Sequence, residues 1–304
     1  MVGATRIAAA VVVALVALGV ALAQLPWRTF WMMWTLESKV MCRGGTGRCH
    51  SEWDGTTAYP SRALVPHFLG KLLLRRPAAI VLIGAGDDPG RDLDFWVPLI
   101  QSTWTVIMVD ANPHWCNYLR PIVEKKNVHV VNAIVSTSPG STADGTLPLW
   151  MFSPKVAQAF PGVQLGHLWM SSSVNRSWLV DTHSLTFDRR VENHGKNFTR
   201  EEWDSMLDYL EKIDVRTLTP EALLEHVSVP PSDVDVLMTD AEGADHEIIT
   251  SFMTVPRFAP IFMKFEYKLG EPIPSSELLV QSLHRQHGYT LALLEPFDML
   301  AIRE

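Results

Sequence analysis

Apolar runs of strand length alternate with helix-like segments along most of this chain, beginning near residue 78. The runs are almost continuously apolar, as expected for strands that are buried on both faces of a sheet. Such alternation predicts a Rossmann-like α/β fold, with a mostly parallel sheet covered by helices. Strands are predicted at residues 78–85, 104–110, 127–136, 233–240 and 259–266, helices at 93–102, 115–126, 244–253 and 278–287, and a closing antiparallel pair at 289–295 and 298–304.

The N-terminal segment has a different pattern, with one cation at Arg6 and then an uncharged, apolar run over residues 7–25. That run is about long enough to cross a bilayer as a helix. Its end, Ala21-Leu22-Ala23, also fits the small-residue cleavage pattern of a secretory signal peptide. We therefore expect residues 1–25 to be a signal peptide or a signal-anchor transmembrane helix, residues 26–77 to be a stem, and the protein to reside at a membrane or in the secretory pathway.

A few features of the sequence bear on which side of the membrane the main domain occupies. The sequences beginning at Asn175 and Asn197 match the glycosylation acceptor pattern and favour the lumen. Cys42 and Cys49 flank a turn-rich stretch and could close a disulfide in an oxidising compartment, with free thiols as the alternative. Cys116 has no obvious partner. A count of positive charges around the first segment favours the cytoplasm instead.

Length and charge narrow the class of protein. The 304 residues carry a formal net charge of −7 with scattered basic side chains, so the chain lacks the basic footprint of a nucleic-acid-binding protein. Residues 78–304 are enough for one large α/β domain with a full core. Pro, Gly, Ser and Thr become frequent from residue 136, where an insert of about 136–216 is predicted to begin.

Ligands of open α/β sheets bind beyond the carboxyl ends of the strands, and three predicted strand ends carry informative residues. A glycine-rich turn follows the first strand, and its lack of side chains lets the backbone approach a ligand. Asp110 ends the second strand, where a carboxylate could accept hydrogen bonds from ribose hydroxyls. Asn132 and Ala133 end the third strand, where an adenine edge could be read. Together these positions predict an adenosine-containing cofactor lying across the sheet.

The glycine-rich turn also indicates which cofactor is the better fit. Gly84, Gly86 and Gly90 are spaced one residue wider than the dinucleotide fingerprint requires. Asp87 and Asp88 bring negative charge to the place where a pyrophosphate would bind, which argues against a nicotinamide dinucleotide. S-adenosyl-L-methionine has no phosphate and carries a sulfonium cation, so acids near this turn are acceptable for it. A purely structural strand-to-helix turn is the alternative.

A series of motifs across residues 80–294 resembles, in order and spacing, the FkbM family of S-adenosylmethionine-dependent methyltransferases. The motifs are "IVLIGAG", "VIMVDANP", "NVHVVNAIVS", "VRTLTPEALL", "VDVLMTDAEGADHEIITSF", "PIFMKFEY" and "HGYTL", and "DAEGADHEII" is the most specific of them. The resemblance implies the seven-stranded methyltransferase sheet with an antiparallel last strand. It also implies methyl transfer to a hydroxyl oxygen, often of a glycan or small metabolite.

The resemblance also implies roles for individual residues. Asp110 would hold the ribose, and Asp240 with Glu242 would line the reaction pocket at the end of the fourth strand. One position departs from the family, because Leu82 stands where an acid usually helps to hold the methionine amino group; Asp87 or Asp88 could substitute for that acid. The cofactor-binding residues implied are Gly84, Ala85, Gly86, Asp87, Gly90, Asp110, Asn112, Asn132 and Ala133.

The acidic stretch after the fourth strand suggests general base chemistry. A carboxylate there could hydrogen-bond an acceptor hydroxyl and receive its proton, with Asp240 the first candidate and Glu242 the second. The alternative role for Asp240 is to cap the following helix, where acids are favoured. Asp245 and Glu247 are expected on the solvated face of that helix. His246 together with Asp240, Glu242 and Glu266 is an alternative metal site without recognised ligand spacing, and Lys264 and Glu266 are further candidates for contacting the acceptor.

The insert is expected to form a lid that carries acceptor contacts. A helix is predicted at about residues 200–212, with Trp203, Leu207 and Leu210 on one side. Trp150, Trp169 and Trp178 could stack on a sugar or aromatic substrate, although packing in a core or lid is the more common role of such residues.

These patterns favour a membrane-targeted O-methyltransferase with a glycan or small-molecule acceptor. A non-catalytic protein of the same fold that serves as a binding or scaffold protein at a membrane is the alternative, suggested by Leu82. A nicotinamide oxidoreductase is a weaker one, because no hydride-transfer constellation is apparent.

Overall fold

The computed structural model describes residues 67, 70–71, 74, 76–86, 104–123, 127–136, 145–169, 171–185, 187, 198–241, 243–267, 274–294 and 298–303. The expected N-terminal segment of residues 1–25, the Cys42–Cys49 pair and the helix expected at 93–102 lie outside these residues. Within the described ranges, we find no helix that combines the length and the apolar character needed to span a bilayer.

Strands and helices alternate along the described chain. The strands are β1 Ala78–Ile83, β2 Trp104–Asp110, β3 Val128–Asn132, β4 Ile134–Val135, β5 Thr146–Phe152, β6 Leu210–Leu218, β7 Val234–Thr239, β8 Phe262–Glu266, β9 Tyr289–Leu294 and β10 Asp298–Arg303. The helices are α1 Pro113–Val123, α2 Val156–Ala159, α3 Leu165–Trp169, α4 Arg176–Leu185, α5 Arg200–Ser205, α6 Pro220–His226, α7 Asp245–Thr254 and α8 Pro274–Arg285.

The main sheet has seven strands in the order β3-β2-β1-β7-β8-β10-β9. Neighbouring strands from β3 to β8 pair in parallel, whereas β10 pairs antiparallel with both β8 and β9. The predicted mostly parallel sheet and its closing antiparallel pair are therefore confirmed. The chain builds outward from β1 to β3 and then returns to place β7 on the other side of β1. The carboxyl ends of β1 and β7 thus form a topological switch point, where open α/β sheets bind ligands.

The residues of β1 alternate between the two faces of the sheet, as the two-residue period of a strand requires. In β1, Ala79, Val81 and Ile83 join a core with α6, α7 and α8. Ile80 and Leu82 join the opposite core, which includes apolar residues of β2 and α1. Burial on both faces explains why the strands are continuously apolar in the sequence.

A buried ion pair fastens the chain before β1 to the amino end of β7. Asp235 is 5% exposed, and its carboxylate lies 2.8 Å from Nε2 of His67 and 2.6 Å from Nζ of Lys71. A buried carboxylate needs such partners, because water cannot compensate its charge. This contact lies at the amino ends of the strands, whereas the switch point lies at their carboxyl ends. It therefore supports the fold rather than the site.

The insert forms a small three-stranded sheet, in the order β4-β6-β5, with a core of its own. β5 pairs antiparallel with β6 from Thr146 opposite Arg216 to Phe152 opposite Leu210. The separate core includes Phe152, Leu179 and Trp203. The insert is therefore a packed layer joined to the main sheet, which goes beyond the lid that the sequence predicts.

The predicted helix over residues 200–212 is wrong in its second half. α5 ends at Ser205, a 3₁₀ turn covers Met206–Tyr209, and the chain then enters β6 at Leu210. Thr199 and Glu202 form a capping box that fixes the start of α5. The helical spacing of Leu207 and Leu210 arises because both pack on the core of the insert, although neither belongs to α5.

Candidate functional site

A cavity of about 620 Å³ opens where the carboxyl ends of β1, β2 and β7 meet the insert. This volume falls within the range usual for small-molecule sites. The sheet side contributes the turn after β1, the end of β2, residues 133–136 and the start of α7. The insert contributes Leu147, Leu149, Trp169, Ser172, Ser173, Val174, Asn175 and Trp178.

The tips of β1 and β7 touch through their backbones at the floor of this cavity. The amide of Asp240 donates to the carbonyl of Ile83 at 2.9 Å. Gly84 has φ +73°, and a Cβ at that position would stand 1.8 Å from the carbonyl oxygen of Asp240. Only glycine satisfies both the backbone angle and the contact. Asp240 itself is exposed and lines the cavity.

Asp110 joins the first two strand ends. Its Oδ2 accepts from the amide of Gly86 at 2.9 Å, and its Oδ1 accepts from the amide of Asn112 at 2.7 Å. The carboxylate therefore holds the β1 turn against the β2 turn and still lines the cavity. Burial raises the pKa of Asp110 from 3.8 to about 6, and the two backbone hydrogen bonds oppose this shift.

Asn112 and Asn132, both predicted as cofactor-binding residues, form hydrogen bonds with neighbouring backbone and side-chain groups. Neither is among the residues that line the cavity. Nδ2 of Asn132 donates to the carbonyls of Asp110 at 3.0 Å and Ala111 at 2.9 Å. Oδ1 of Asn112 accepts from the amide of His114, which caps the start of α1. Ala133, in contrast, lines the cavity beside Asp110.

The insert is docked onto the end of β2 by one hydrogen bond and by stacked rings. Nδ2 of Asn112 donates to Oγ of Ser172 at 3.1 Å. The rings of His114 and Trp169 stack with centroids 4.7 Å apart and 7° between their planes. Nε1 of Trp169 donates to the carbonyl of Phe152 at 2.8 Å, which ties α3 to β5. The wall of the cavity is therefore fixed on both sides of Trp169.

Trp115 supplies a polar group without a partner. Its side chain is 6% exposed and lines the cavity, and its Nε1 has no hydrogen-bond partner among the described residues. A buried indole N–H normally finds an acceptor. This residue was not predicted, although its position after "DANP" at the end of β2 could have indicated it.

The expectation that Asp245 lies on the solvated face of its helix is wrong. Asp245 is 1% exposed, and its two carboxylate oxygens lie 3.3 and 3.2 Å from the amide nitrogen of Ala241, which donates to them. Burial raises the pKa of Asp245 above its usual value, and this hydrogen bond opposes the shift. Asp245 therefore holds the peptide that follows Asp240. Glu247 is exposed, as expected, and also lines the cavity.

His246 is buried beside this loop, at 7% exposure. Burial lowers the pKa of its imidazole below 6.5, against the attraction of Asp245 and Glu247. Among the described residues, no three His, Cys, Asp or Glu side chains gather as a metal site would require. Glu242, which the metal alternative also uses, lies outside the described residues.

The remaining predicted residues divide into three groups: those that line the cavity, those that are described but do not line it, and those outside the described residues. Gly84, Ala85 and Gly86 line the cavity, whereas Asp87 and Gly90 lie outside the described residues, as does Glu242. Lys264 and Glu266, at the end of β8, are not among the lining residues. Trp169 and Trp178 line the cavity, while the ring of Trp150 lies 5.5 Å from the guanidinium of Arg176.

The charged side chains in the described lining of the cavity are Asp110, Asp240 and Glu247. All three are acids, so the described lining favours a cationic ligand and disfavours a pyrophosphate. Comparison with known proteins adds no assignment: no family model, curated protein or solved structure matches the chain.

Proposed function

We propose that this protein is an S-adenosyl-L-methionine-dependent methyltransferase, which methylates a hydroxyl oxygen of a glycan or small metabolite at a membrane or in the secretory pathway. The observation that carries the proposal is the convergence of Gly86, Asp110 and Asp240 on one cavity at the switch point of the sheet. The strand order, with antiparallel β10 between β8 and β9, agrees with the seven-stranded sheet that the FkbM resemblance implies.

The lining residues suit this cofactor in three respects. The turn at Gly84 and Gly86 presents backbone to the cavity without side chains. Asp110 offers carboxylate oxygens to ribose hydroxyls, beside Ala133 at the end of β3. The acidic lining suits a sulfonium cation, whereas a dinucleotide would bring two phosphates to a turn without a described cation.

Asp240 is the residue that we assign to proton transfer, with Glu242 as the second candidate. When bound, S-adenosyl-L-methionine supplies a methyl group on a positively charged sulfur. The carboxylate of Asp240 would hydrogen-bond the acceptor hydroxyl and take up its proton as general base, while the cofactor would supply the methyl group. The backbone contacts of Asp240 with Ile83 and Gly84 hold it at the cavity floor, which fixes the position of the proposed base.

Calorimetric titration of the purified chain with S-adenosyl-L-methionine tests the proposal. We expect one binding site per chain, and a loss of at least tenfold in affinity for Asp110→Ala, because charge-assisted hydrogen bonds to the ribose are removed. Glu225→Ala is the matched control, since Glu225 is an exposed acid on α6 and does not line the cavity. Asp240→Asn is expected to keep cofactor binding and to lose transfer of labelled methyl groups to glycan acceptors.

The second candidate is a binding or scaffold protein of the same fold without catalysis. It is favoured by Leu82, whose side chain is 5% exposed and packs in a core of the sheet, so that the end of β1 offers no acid for the methionine amino group. Absence of heat at millimolar S-adenosyl-L-methionine, in a chain with intact structure by circular dichroism, would support this candidate and contradict methyl transfer.

A further inference from the structure

β1 provides no carboxylate to bind the ammonium group of the proposed methyl donor. Leu82 faces the core that contains Val106 and Met108, away from the residues of β1 that line the cavity. Because strand side chains alternate between faces, Ile83 rather than Leu82 borders the cavity. A carboxylate for an ammonium group must therefore come from another element.

The three acids in the described lining are not equivalent. Both carboxylate oxygens of Asp110 already accept backbone amides, and their remaining lone pairs are the ones proposed to hold the ribose. Asp240 lies at the tip of β7, where the acceptor hydroxyl is proposed to react. Glu247 stands on the first turn of α7, is exposed, and lines the cavity next to Gly243 and Ala244.

The geometry points to Glu247 as the group that binds the α-ammonium group of the cofactor. This inference rests on the proposed function and adds a binding residue to it. Glu247 lies on the first turn of α7, after the loop that carries Asp240, and lines the same cavity as Gly84, whose turn offers backbone rather than a side chain. A carboxylate and an ammonium group form a charge-assisted hydrogen bond, which is stronger than a bond between neutral groups.

A matched pair of ligands isolates this contact. S-adenosylhomocysteine and 5′-methylthioadenosine share an adenosine and an uncharged thioether sulfur, and only the first carries the ammonium group. We would titrate both into the wild-type chain and into Glu247→Gln, which removes the charge and keeps the shape. We expect the variant to bind S-adenosylhomocysteine about tenfold more weakly and 5′-methylthioadenosine with unchanged affinity. Glu225→Gln, an exposed acid outside the cavity, should change neither affinity.

Each other outcome of this experiment has a separate meaning. Equal losses for both ligands, or no loss for either, would overturn the role of Glu247. Selective loss in Asp87→Asn or Asp88→Asn with none in Glu247→Gln would also overturn it and would move the ammonium site to the β1 turn. If the wild-type chain binds neither ligand nor S-adenosyl-L-methionine, the proposed function itself fails.

Discussion

The α-carbon of Gly84 lies against the backbone carbonyl of Asp240, so close that a Cβ on Gly84 would stand 1.8 Å from the carbonyl oxygen. This contact joins the carboxyl ends of two parallel strands whose sequence positions are more than 150 residues apart. It brings the glycine-rich turn and the acidic loop to one cavity.

Replacing Gly84 by alanine should damage both fold and site. The φ of +73° alone costs an alanine about 1 kcal/mol, and the clash with the Asp240 carbonyl adds to that cost. We expect the free energy of unfolding to fall by about 3 kcal/mol or more, measured by chemical denaturation. Gly288→Ala is the matched control, because Gly288 has φ +71° and no atom within 4 Å of its Cβ position. Equal losses in the two variants would contradict the role of the contact.

Asp110 should make stability depend on pH in a defined window. Its pKa is raised from 3.8 to about 6 in the folded chain, so the folded state binds the proton more tightly than the unfolded state. The stabilising contribution is therefore complete below about pH 4 and is lost as pH rises to about 6. The shift corresponds to roughly 3 kcal/mol by linkage.

The measurement for Asp110 is the free energy of unfolding from pH 4 to pH 6.5, in the wild type and in Asp110→Asn. We expect the decline of stability with rising pH to be shallower in the variant, whatever its absolute stability. Asp245, whose pKa is also raised by burial, acts in the same direction in both chains, so the difference between them isolates Asp110. Parallel curves would contradict this assignment.

Asp245 should stabilise the loop that carries Asp240. Asp245→Ala leaves the amide of Ala241 without its acceptor, and we expect a loss of roughly 1–3 kcal/mol in the free energy of unfolding. Asp245→Asn keeps one oxygen near that amide and should lose less. The comparison also bears on function, because a displaced loop should lower the rate of methyl transfer more than it lowers cofactor affinity. If the alanine and asparagine variants are equally stable, the hydrogen bond is not the cause.

The strands of the main sheet could be predicted because burial on both faces leaves a continuous apolar signal, as in Ala78–Ile83 and Val234–Thr239. Their carboxyl ends are where parallel strands bring residues together, which is why Asp110 and Asp240 could be predicted at one site. The glycines of the turn after β1 could be predicted as site residues for the same reason, because they follow the carboxyl end of a predicted strand.

The insert could not be predicted in the same way. β6 mixes buried, partly buried and exposed positions, and β5 mixes buried with partly buried ones, so neither gives the continuous apolar signal of the main sheet. Leu207 and Leu210, just before and at the start of β6, have a three-residue spacing that resembles a helix. Asp245 was misplaced because the sequence around α7 shows acids in a first turn, where solvated acids are common. Its burial depends on the position of the Ala241 amide, which only the folded loop defines.

Trp203 should hold the core of the insert together through a reciprocal pair of contacts with His183. Nε1 of Trp203 donates to the carbonyl of His183 at 2.8 Å, Nε2 of His183 lies 2.8 Å from the carbonyl of Trp203, and the two rings stack 4.4 Å apart. Trp203→Phe removes one buried donor and leaves a smaller ring, which should lower the free energy of unfolding by roughly 2 kcal/mol.

Because this core is separate from those of the main sheet, we expect amide exchange in Trp203→Phe to accelerate in β5 and α4 and to stay unchanged in β1 and β2. Val174→Ala is the control, because Val174 is a 44% exposed residue of the insert outside its core, and it should leave exchange in both regions unchanged. Uniform acceleration across β1, β2 and the insert in Trp203→Phe would instead mean that the insert and the main sheet unfold as one unit.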